Sequence, residues 1–155
     1  MGQRLRTPAE PPRSITVIFL DEQRMARINH RFTQRDAPTD VLAFDYRNSD
    51  GPPLPAPAGM EMEPVTVAEI FVCPEIAAQV AARFDSTPAA ELLRYIIHGI
   101  LHLTGENDDT PRRRAAMRRR ENQVLAAIQD DFPADELFAF RIPGRAVQPE
   151  VAEKS

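Results

Sequence analysis

Cysteine is almost absent from this sequence, and the single Cys73 limits the kinds of protein the chain can be. One cysteine excludes an intramolecular disulfide framework and a zinc site built from cysteines, and it is typical of a protein in the reducing cytosol. No apolar run approaches the roughly 20 residues that a membrane-spanning helix needs, and the first residues lack the apolar core of a secretory signal. These absences predict a cytoplasmic protein that has no membrane partner.

An excess of positive charge is missing as well. The chain has 19 Lys and Arg against 23 Asp and Glu, a net charge of −4, which argues against indiscriminate nucleic-acid binding by the whole surface. The positive charge is nevertheless concentrated after the histidine motif described below, in an arginine cluster that consists of Arg112, Arg113, Arg114, Arg118, Arg119 and Arg120. On a helix with Met117, Val124 and Ile128 facing inward, these arginines would lie on the outer and flanking faces. They form either a solvated helix face or a surface for an anionic polymer such as RNA.

Histidine is scarce, yet two of the three histidines, His98 and His102, are four residues apart. On a helix this spacing projects both imidazoles from one face, where they can hold one metal ion. Gly105 follows where helices often end in a left-handed residue, and the chain can then turn back so that Asp108 reaches the same ion. The surrounding residues are apolar around nearly the whole helix, which indicates a buried helix whose imidazoles need partners. The sequence therefore predicts a metal site of His98, His102 and Asp108.

The spacing H-x-x-x-H-x-x-G-x-x-D matches the long zincin pattern H-E-x-x-H-x-x-G-x-x-H, with an aspartate as third ligand. Gly99 takes the place of the zincin's glutamate base, so the pattern indicates a hydrolytic metal site and disfavours a metallopeptidase. We expect Gly99 to let another backbone segment approach the helix. Glu106 and Asp109 are alternative third ligands, or partners of the ligands. One zinc ion is expected, although the aspartate makes harder divalent ions more competitive than at a three-histidine site.

The residue pattern also predicts the order of elements. Runs of β-branched and aromatic residues predict strands at 15–20, 41–46 and 65–72. Start signals at Asp21, Pro74, Thr87 and Thr110 predict four helices. Apolar spacing extends the inward face of the first helix to Phe32, and that of the second to residue 84. This order predicts an α+β fold, in which helices pack on a small mixed β-sheet around a central metal-binding helix.

Composition divides the chain into three parts. Residues 1–13 are polar and contain proline, and are expected to form a flexible leader. Residues 14–130 are expected to form a single domain, in which 48–64 are a proline-rich loop. Residues 131–155 lose the periodic pattern and are expected to form a C-terminal tail.

A second motif, which precedes the histidine helix, carries a resemblance to a known family. Asn29-His-Arg-Phe32 followed by Arg35-Asp-Ala-Pro-Thr-Asp-Val-Leu-Ala-Phe44 resembles the N-x-x-[YF]…D-x-P-T-D-V-L-[SA]-F signature of the YbeY-type endoribonucleases, the bacterial rRNA maturation factors. Ala68-Glu-Ile-Phe-Val72 occupies the place of that family's G-[DE]-I-x-[IV] strand, and residues 98–105 match its metal helix at every fixed position. The resemblance extends over most of the chain, from about Ile15 to Ile128.

The resemblance implies a single-strand-specific, metal-dependent endoribonuclease whose partner is RNA and not DNA. It implies a role at the small ribosomal subunit, in the 3′-end maturation of 16S rRNA and in ribosome quality control. The commonest family motif ends in G-Y-D-H, so Asp108 marks this chain as a variant with aspartate as the third metal ligand. The resemblance does not indicate an oligomeric state.

One departure from the family pattern concerns catalysis. Thr33 occupies the position of a family arginine that is thought to help position the scissile phosphate. Arg31 or Arg35 is therefore expected to act with His98 and His102 as a catalytic residue. Thr33 and the missing glutamate base also motivate an alternative, a ribosome assembly factor with a structural metal and marginal catalysis.

Overall fold

The computed structural model describes residues 14–34, 39–47 and 67–138. Within these ranges the elements are, in chain order, β1 (Ile15–Phe19), α1 (Glu22–Thr33), β2 (Val41–Asp45), β3 (Ala68–Val72), α2 (Pro74–Ala81), α3 (Pro88–Leu103), α4 (Pro111–Ile128) and α5 (Ala134–Leu137). The three predicted strands and four predicted helices are confirmed in order and type, and α5 is an addition. The predicted leader at 1–13 and loop at 48–64 lie outside the described residues.

Three of the predicted helix start signals are N-cap residues in the structure. Asp21, Thr87 and Thr110 are the extended N-cap residues of α1, α3 and α4, and each side chain accepts a hydrogen bond from the backbone N–H three residues later. Proline follows at the start of α3 and α4, where a backbone N–H would have no partner inside the helix. The two helices that carry the motifs thus begin at sites fixed by local sequence.

The sheet is small and mixed, as predicted. β3 lies in the centre, parallel to β1 and antiparallel to β2. Alternate residues of β3 are fully buried, among them Ile70, which lies against Gly99 of α3. A Cβ added at Gly99 would be 2.8 Å from Ile70 Cγ2. Gly99 thus makes room for a side chain of the central strand. The sequence analysis had predicted a backbone segment at this place.

α3 is covered on two sides, which confirms the prediction of a central buried helix. Leu92, Tyr95 and Leu103 belong to a core cluster with β3 and with Ala77 of α2. Leu93, Ile97 and Leu101 pack instead against Met117 of α4, with Val124 and Ile128 alongside. The inward stripe predicted for α4 is therefore the surface that meets α3, and the arginine cluster is exposed.

Two aromatic residues predicted to face inward do not. α2 ends at Ala81, and a turn with Asp85 in the left-handed region follows, so Phe84 is 73% exposed. Phe32 is 58% exposed at the end of α1, where its ring packs against Phe44 with centroids 4.6 Å apart. The apolar spacing thus continued beyond the part that the core covers, into the last turn of α1 and past the end of α2.

The packed part of the chain continues past residue 130, where the predicted domain ended. Ala134 of α5 and the following Phe138 pack on the clusters around α3, so residues 131–138 include core contacts that a tail would not make. Among the described residues, no helix has both the length and the apolar character that crossing a membrane requires.

Candidate metal centre

The two histidines of α3 face each other across one helical turn. Their rings are arranged edge to face with centroids 4.5 Å apart, and the two Nε2 atoms are 2.9 Å apart. Both side chains are partly buried near the C-terminal end of the helix. The i, i+4 spacing thus brings two nitrogen ligands to one point, as predicted.

A tight turn reverses the chain immediately after α3. Gly105 has φ 97°, in the left-handed region that the sequence predicted for it. Its N–H donates to the carbonyl of His102, and the N–H of Glu106 donates to the carbonyl of Leu101, both at 3.0 Å. This pair of bonds is the Schellman arrangement, which satisfies the last carbonyls of the helix and turns the chain back.

The reversal brings Asp108 to the two histidines. Its Oδ2 lies 3.7 Å from His98 Nε2, and its Oδ1 lies 3.7 Å from His102 Nε2. One ligand atom from each of the three residues can be chosen so that all lie within 4.8 Å of one another. The predicted set of His98, His102 and Asp108 is therefore brought together, and these residues form what we call the metal group.

The two alternative third ligands have other partners. Asp109 forms an ion pair with Arg113 at 2.8 Å, and the Glu106 carboxylate lies 3.9 Å from Arg120 Nε. The backbone carbonyl of Glu106 instead accepts a hydrogen bond from His102 Nδ1 at 3.1 Å. Glu106 thus supports a histidine of the metal group through its main chain.

Glu121 of α4 supports the other histidine, and the sequence analysis missed it. Its Oε1 lies 2.7 Å from His98 Nδ1, although the residue is only 5% exposed and follows three arginines. A signal was present, because position 121 lies on the inward stripe of α4, four residues after Met117 and three before Val124. An acidic residue on an apolar stripe needs a partner, and here the partner is His98.

Neighbouring charges shift the pKa of both members of this pair, and in each case they oppose the effect of burial. The hydrogen bond from Glu121 raises the pKa of His98 against the opposing effect of its burial. Burial of Glu121 favours the neutral acid, but His98, Arg94 and Arg118 together keep the pKa of Glu121 below its usual value. Arg94 Nη1 lies 3.3 Å from Glu121 Oε2 and donates to Asn122 Oδ1 at 2.7 Å, so it fixes the second carboxylate oxygen.

The positions of the ring hydrogens indicate that a cation can lie between the two histidines. Because Nδ1 of His98 faces a carboxylate and Nδ1 of His102 faces a carbonyl, both Nδ1 atoms carry hydrogen. In the neutral rings, both Nε2 atoms then present lone pairs to each other at 2.9 Å, beside a carboxylate. Such an arrangement is repulsive unless a proton or a metal ion occupies the space between them.

The donor set suits a zinc-like ion. In a tetrahedral site with bonds of about 2.0–2.2 Å, ligand atoms lie about 3.3–3.6 Å apart. The observed separations of 2.9 and 3.7 Å bracket that range, so shifts of a few tenths of an ångström would suffice. Metal-bound histidines usually donate their other N–H to a carboxylate or carbonyl, which is the role of Glu121 and Glu106 here. Three protein ligands leave a fourth position open for a water molecule or a substrate.

The arginines proposed for catalysis are not joined to this group. Arg31 is exposed on α1, with its guanidinium carbon 5.9 Å from the ring centroid of its neighbour Phe32. No contact among the described residues links Arg31 to the metal group, and Arg35 lies outside the described residues. Two members of the arginine cluster, Arg114 and Arg118, line a cavity of about 260 Å³ that also reaches His98 and Asp108.

Fold and site together define a class of protein. The molecule is an α+β protein with two histidines and an aspartate at the end of a buried helix, in an arrangement that hydrolases use for a single metal ion. The sequence model of the family described as endoribonuclease YbeY matches residues 3–129. The chain belongs to this endoribonuclease YbeY family.

Three relatives with similar sequences agree with this assignment. The chain is similar to the endoribonuclease YbeY of Salinispora tropica, at 38% identity over 73% of each chain. It is also similar to those of Elusimicrobium minutum, at 33% identity over 74% of this chain and 73% of the relative, and Cutibacterium acnes, at 31% identity over 81% and 78%. A solution structure of a Thermotoga maritima protein is 28% identical, with a TM-score of 0.45, over 85% of this chain and 78% of the other.

Proposed function

We propose that this protein is a metal-dependent endoribonuclease that cleaves single-stranded RNA at the metal group. The observation that carries the proposal is the convergence of His98, His102 and Asp108 in a chain that belongs to a family of endoribonucleases. We propose one divalent ion, with zinc first because two imidazoles and one carboxylate suit it.

A bound ion would supply Lewis acidity toward a phosphoryl oxygen and an activated water at neutral pH. The chain's own residues supply the rest. Glu121 and the Glu106 carbonyl hold the two imidazoles with their Nε2 atoms toward the ion. Asp108 adds a negative charge, which lowers the net charge of a divalent site to +1. Arg114 and Arg118 line the cavity beside the group, and we propose that they bind phosphates of the RNA strand.

The biological substrate is the finer part of the proposal. On the family resemblance, we propose that the RNA is 16S rRNA, cleaved during maturation of its 3′ end and in ribosome quality control. The partner is then the small ribosomal subunit, and the site of action is the cytoplasm. Arg31 and Arg35 are proposed to bind the strand near the scissile phosphate, in place of the family arginine that Thr33 replaces.

Purified protein tests the cleavage proposal. End-labelled single-stranded RNA and the matching duplex are incubated with wild-type protein, with chelated protein and with His102→Ala. We expect cleavage of the single strand, little cleavage of the duplex, and loss of cleavage on chelation or substitution. His30→Ala, which changes the one histidine outside the metal group, is the matched control and should stay active. Full activity of chelated protein and of His102→Ala would overturn the proposal.

One observation favours the alternative of an assembly factor with a structural metal. Thr33 is the last residue of α1, and its hydroxyl lies 2.8 Å from both the backbone oxygen and Oδ1 of Asn29. A threonine at this position offers no positive charge to a phosphate. Cells that carry a folded His98→Ala protein discriminate the two functions. Normal rRNA processing would favour the assembly factor, whereas lost processing with intact ribosome binding would favour the endoribonuclease.

A further inference from the structure

The cavity beside the metal group continues along one face of α3. Glu91, Tyr95 and His98 succeed one another on this face at spacings of four and three residues, and all three line the cavity. Val80 of α2 and Met117 of α4 contribute apolar wall, against which a planar group can pack. The cavity volume of about 260 Å³ is large enough for a nucleobase.

Glu91 is a largely buried residue whose carboxylate has no partner among the described residues. It is 7% exposed, and no hydrogen bond or ion pair joins its side chain to any described residue. A carboxylate in the first turn of a helix stabilises the helix dipole, but an exposed side chain would do so without the cost of desolvation. Because Glu91 lines the cavity, its carboxylate is available to accept hydrogen bonds from a ligand there.

Tyr95 supplies a second, independent observation. The residue is 6% exposed, and its hydroxyl oxygen is buried without a hydrogen-bond partner among the described residues. Burial first, and then the charges of Asp40 and Glu91, raise the pKa of this phenol well above its usual value. The hydroxyl therefore stays protonated and lies near the acidic wall of the cavity. A buried tyrosine hydroxyl normally has a partner, so a ligand in the cavity would satisfy it.

We propose that this cavity binds a guanine base of the RNA strand, beside the phosphodiester bond that is cleaved. Guanine presents two adjacent donors, N1–H and N2–H, which one carboxylate such as Glu91 can accept together, and an O6 acceptor for the Tyr95 hydroxyl. Adenine, cytosine and uracil do not offer two adjacent donors on that edge. The inference rests on the proposed function and adds a base preference to it.

The position of Glu91 favours a base over a ribose. Seven residues separate Glu91 from His98, which is a rise of roughly 10 Å along a helix. A backbone phosphate lies about that far from the pairing edge of its own base, and considerably closer to its 2′-hydroxyl. An unpaired base can also swing into a pocket at less cost than a paired one, which agrees with single-stranded substrates.

Nucleotide binding tests the proposal without relying on cleavage. Zinc-loaded protein is titrated with guanosine, inosine and uridine 5′-monophosphates, and binding is followed by calorimetry or NMR. We expect guanosine monophosphate to bind about tenfold or more tightly than uridine monophosphate. Inosine monophosphate lacks the N2 amino group and should be intermediate. Equal affinities for the three nucleotides would overturn the proposal, and this comparison needs no variant that must fold.

Two variants then assign the preference to the cavity. Glu91→Gln and Tyr95→Phe should each reduce the preference for guanosine monophosphate, whereas Glu136→Gln on the exposed surface of α5 should leave it unchanged. A full preference retained by both cavity variants would overturn the assignment.

The proposed function and the proposed base preference can fail independently of each other. Guanine-selective binding without any RNA cleavage would overturn the proposed function alone, and cleavage at all four bases with equal rates would overturn the base preference alone.

Discussion

At the scale of single residues, the metal group depends on a side chain that lies amid the arginine cluster. Glu121 is held by Arg94 on one oxygen and holds His98 with the other. The three candidate ligands could be predicted because they lie within eleven residues, and helix geometry fixes their relation. The pairing of Glu121 with His98 spans 23 residues and depends on how α4 packs on α3. A local pattern does not contain that information.

Glu121→Gln tests this orienting role. We expect the affinity for zinc to fall by roughly 10- to 100-fold, because an amide is a weaker acceptor for the His98 N–H and carries no charge. The measurement is competition with a chromophoric chelator at fixed pH. Glu136→Gln removes a carboxylate from the surface of α5 and serves as the control, with an affinity equal to the wild type. An equal zinc affinity in Glu121→Gln would show that the carboxylate does not support the ligand.

Gly99→Ala tests the packing of α3 on the central strand. The added methyl would lie 2.8 Å from Ile70 Cγ2, on a fully buried β-branched side chain that has little freedom to move. Overpacking of this kind costs about 1–3 kcal/mol, whereas alanine gains at most about 1 kcal/mol in helix propensity. We therefore expect a lower free energy of unfolding in chemical denaturation. An increase in stability would mean that helix propensity dominates and that the two elements are not tightly packed at this point.

At the scale of elements, local signals predicted where helices begin better than where their buried faces end. Thr87 and Thr110 act within their own first turns, so their effect is visible in the sequence. The apolar spacing at Phe84 instead extended past the point at which α2 stops. The four-residue α5 is too short to produce a periodic pattern, so its packing on the core could not be predicted from spacing.

The turn at the end of α3 carries an element-level prediction. Gly105 has φ 97°, and the hydrogen bonds made there place both Asp108 and the Glu106 carbonyl. Gly105→Ala should lower the free energy of unfolding by about 1–2 kcal/mol, because an L-residue is strained in this conformation. Gly105→Asn, in which the side chain tolerates the left-handed region, should cost less. Denaturant unfolding of both variants measures the difference, and equal stabilities would contradict a strained turn.

At the scale of the whole molecule, positive charge is concentrated on one helix although the net charge of the chain is negative. The net charge is −4, yet the exposed arginine cluster of α4 lies beside the metal group. The sequence alone predicts that these arginines form an exposed basic patch. That Arg114 and Arg118 line the cavity could not be predicted, because it depends on the packing of α4 against α3.

Salt dependence of RNA binding tests the role of this patch. Combined replacement of Arg114 and Arg118 by alanine should weaken binding of single-stranded RNA and reduce the salt slope by roughly 0.7 for each phosphate that the variant no longer neutralises. Arg27→Ala, on the exposed side of α1, is the matched control and should leave the slope unchanged. Fluorescence anisotropy at several salt concentrations gives both quantities. An unchanged slope in the double variant would show that these arginines are only a solvated helix face.

If the metal group is the site of cleavage, RNA cleavage must depend on a single ion bound there. Metal-free protein is titrated with zinc, while cleavage of a single-stranded RNA is measured in the same samples. We expect cleavage to be absent at first, to rise in proportion to added zinc and to reach a plateau at one ion per chain, and we expect no response from His102→Ala. Full cleavage by the metal-free protein, or a folded protein that binds no ion at His98, His102 and Asp108, would contradict this expectation.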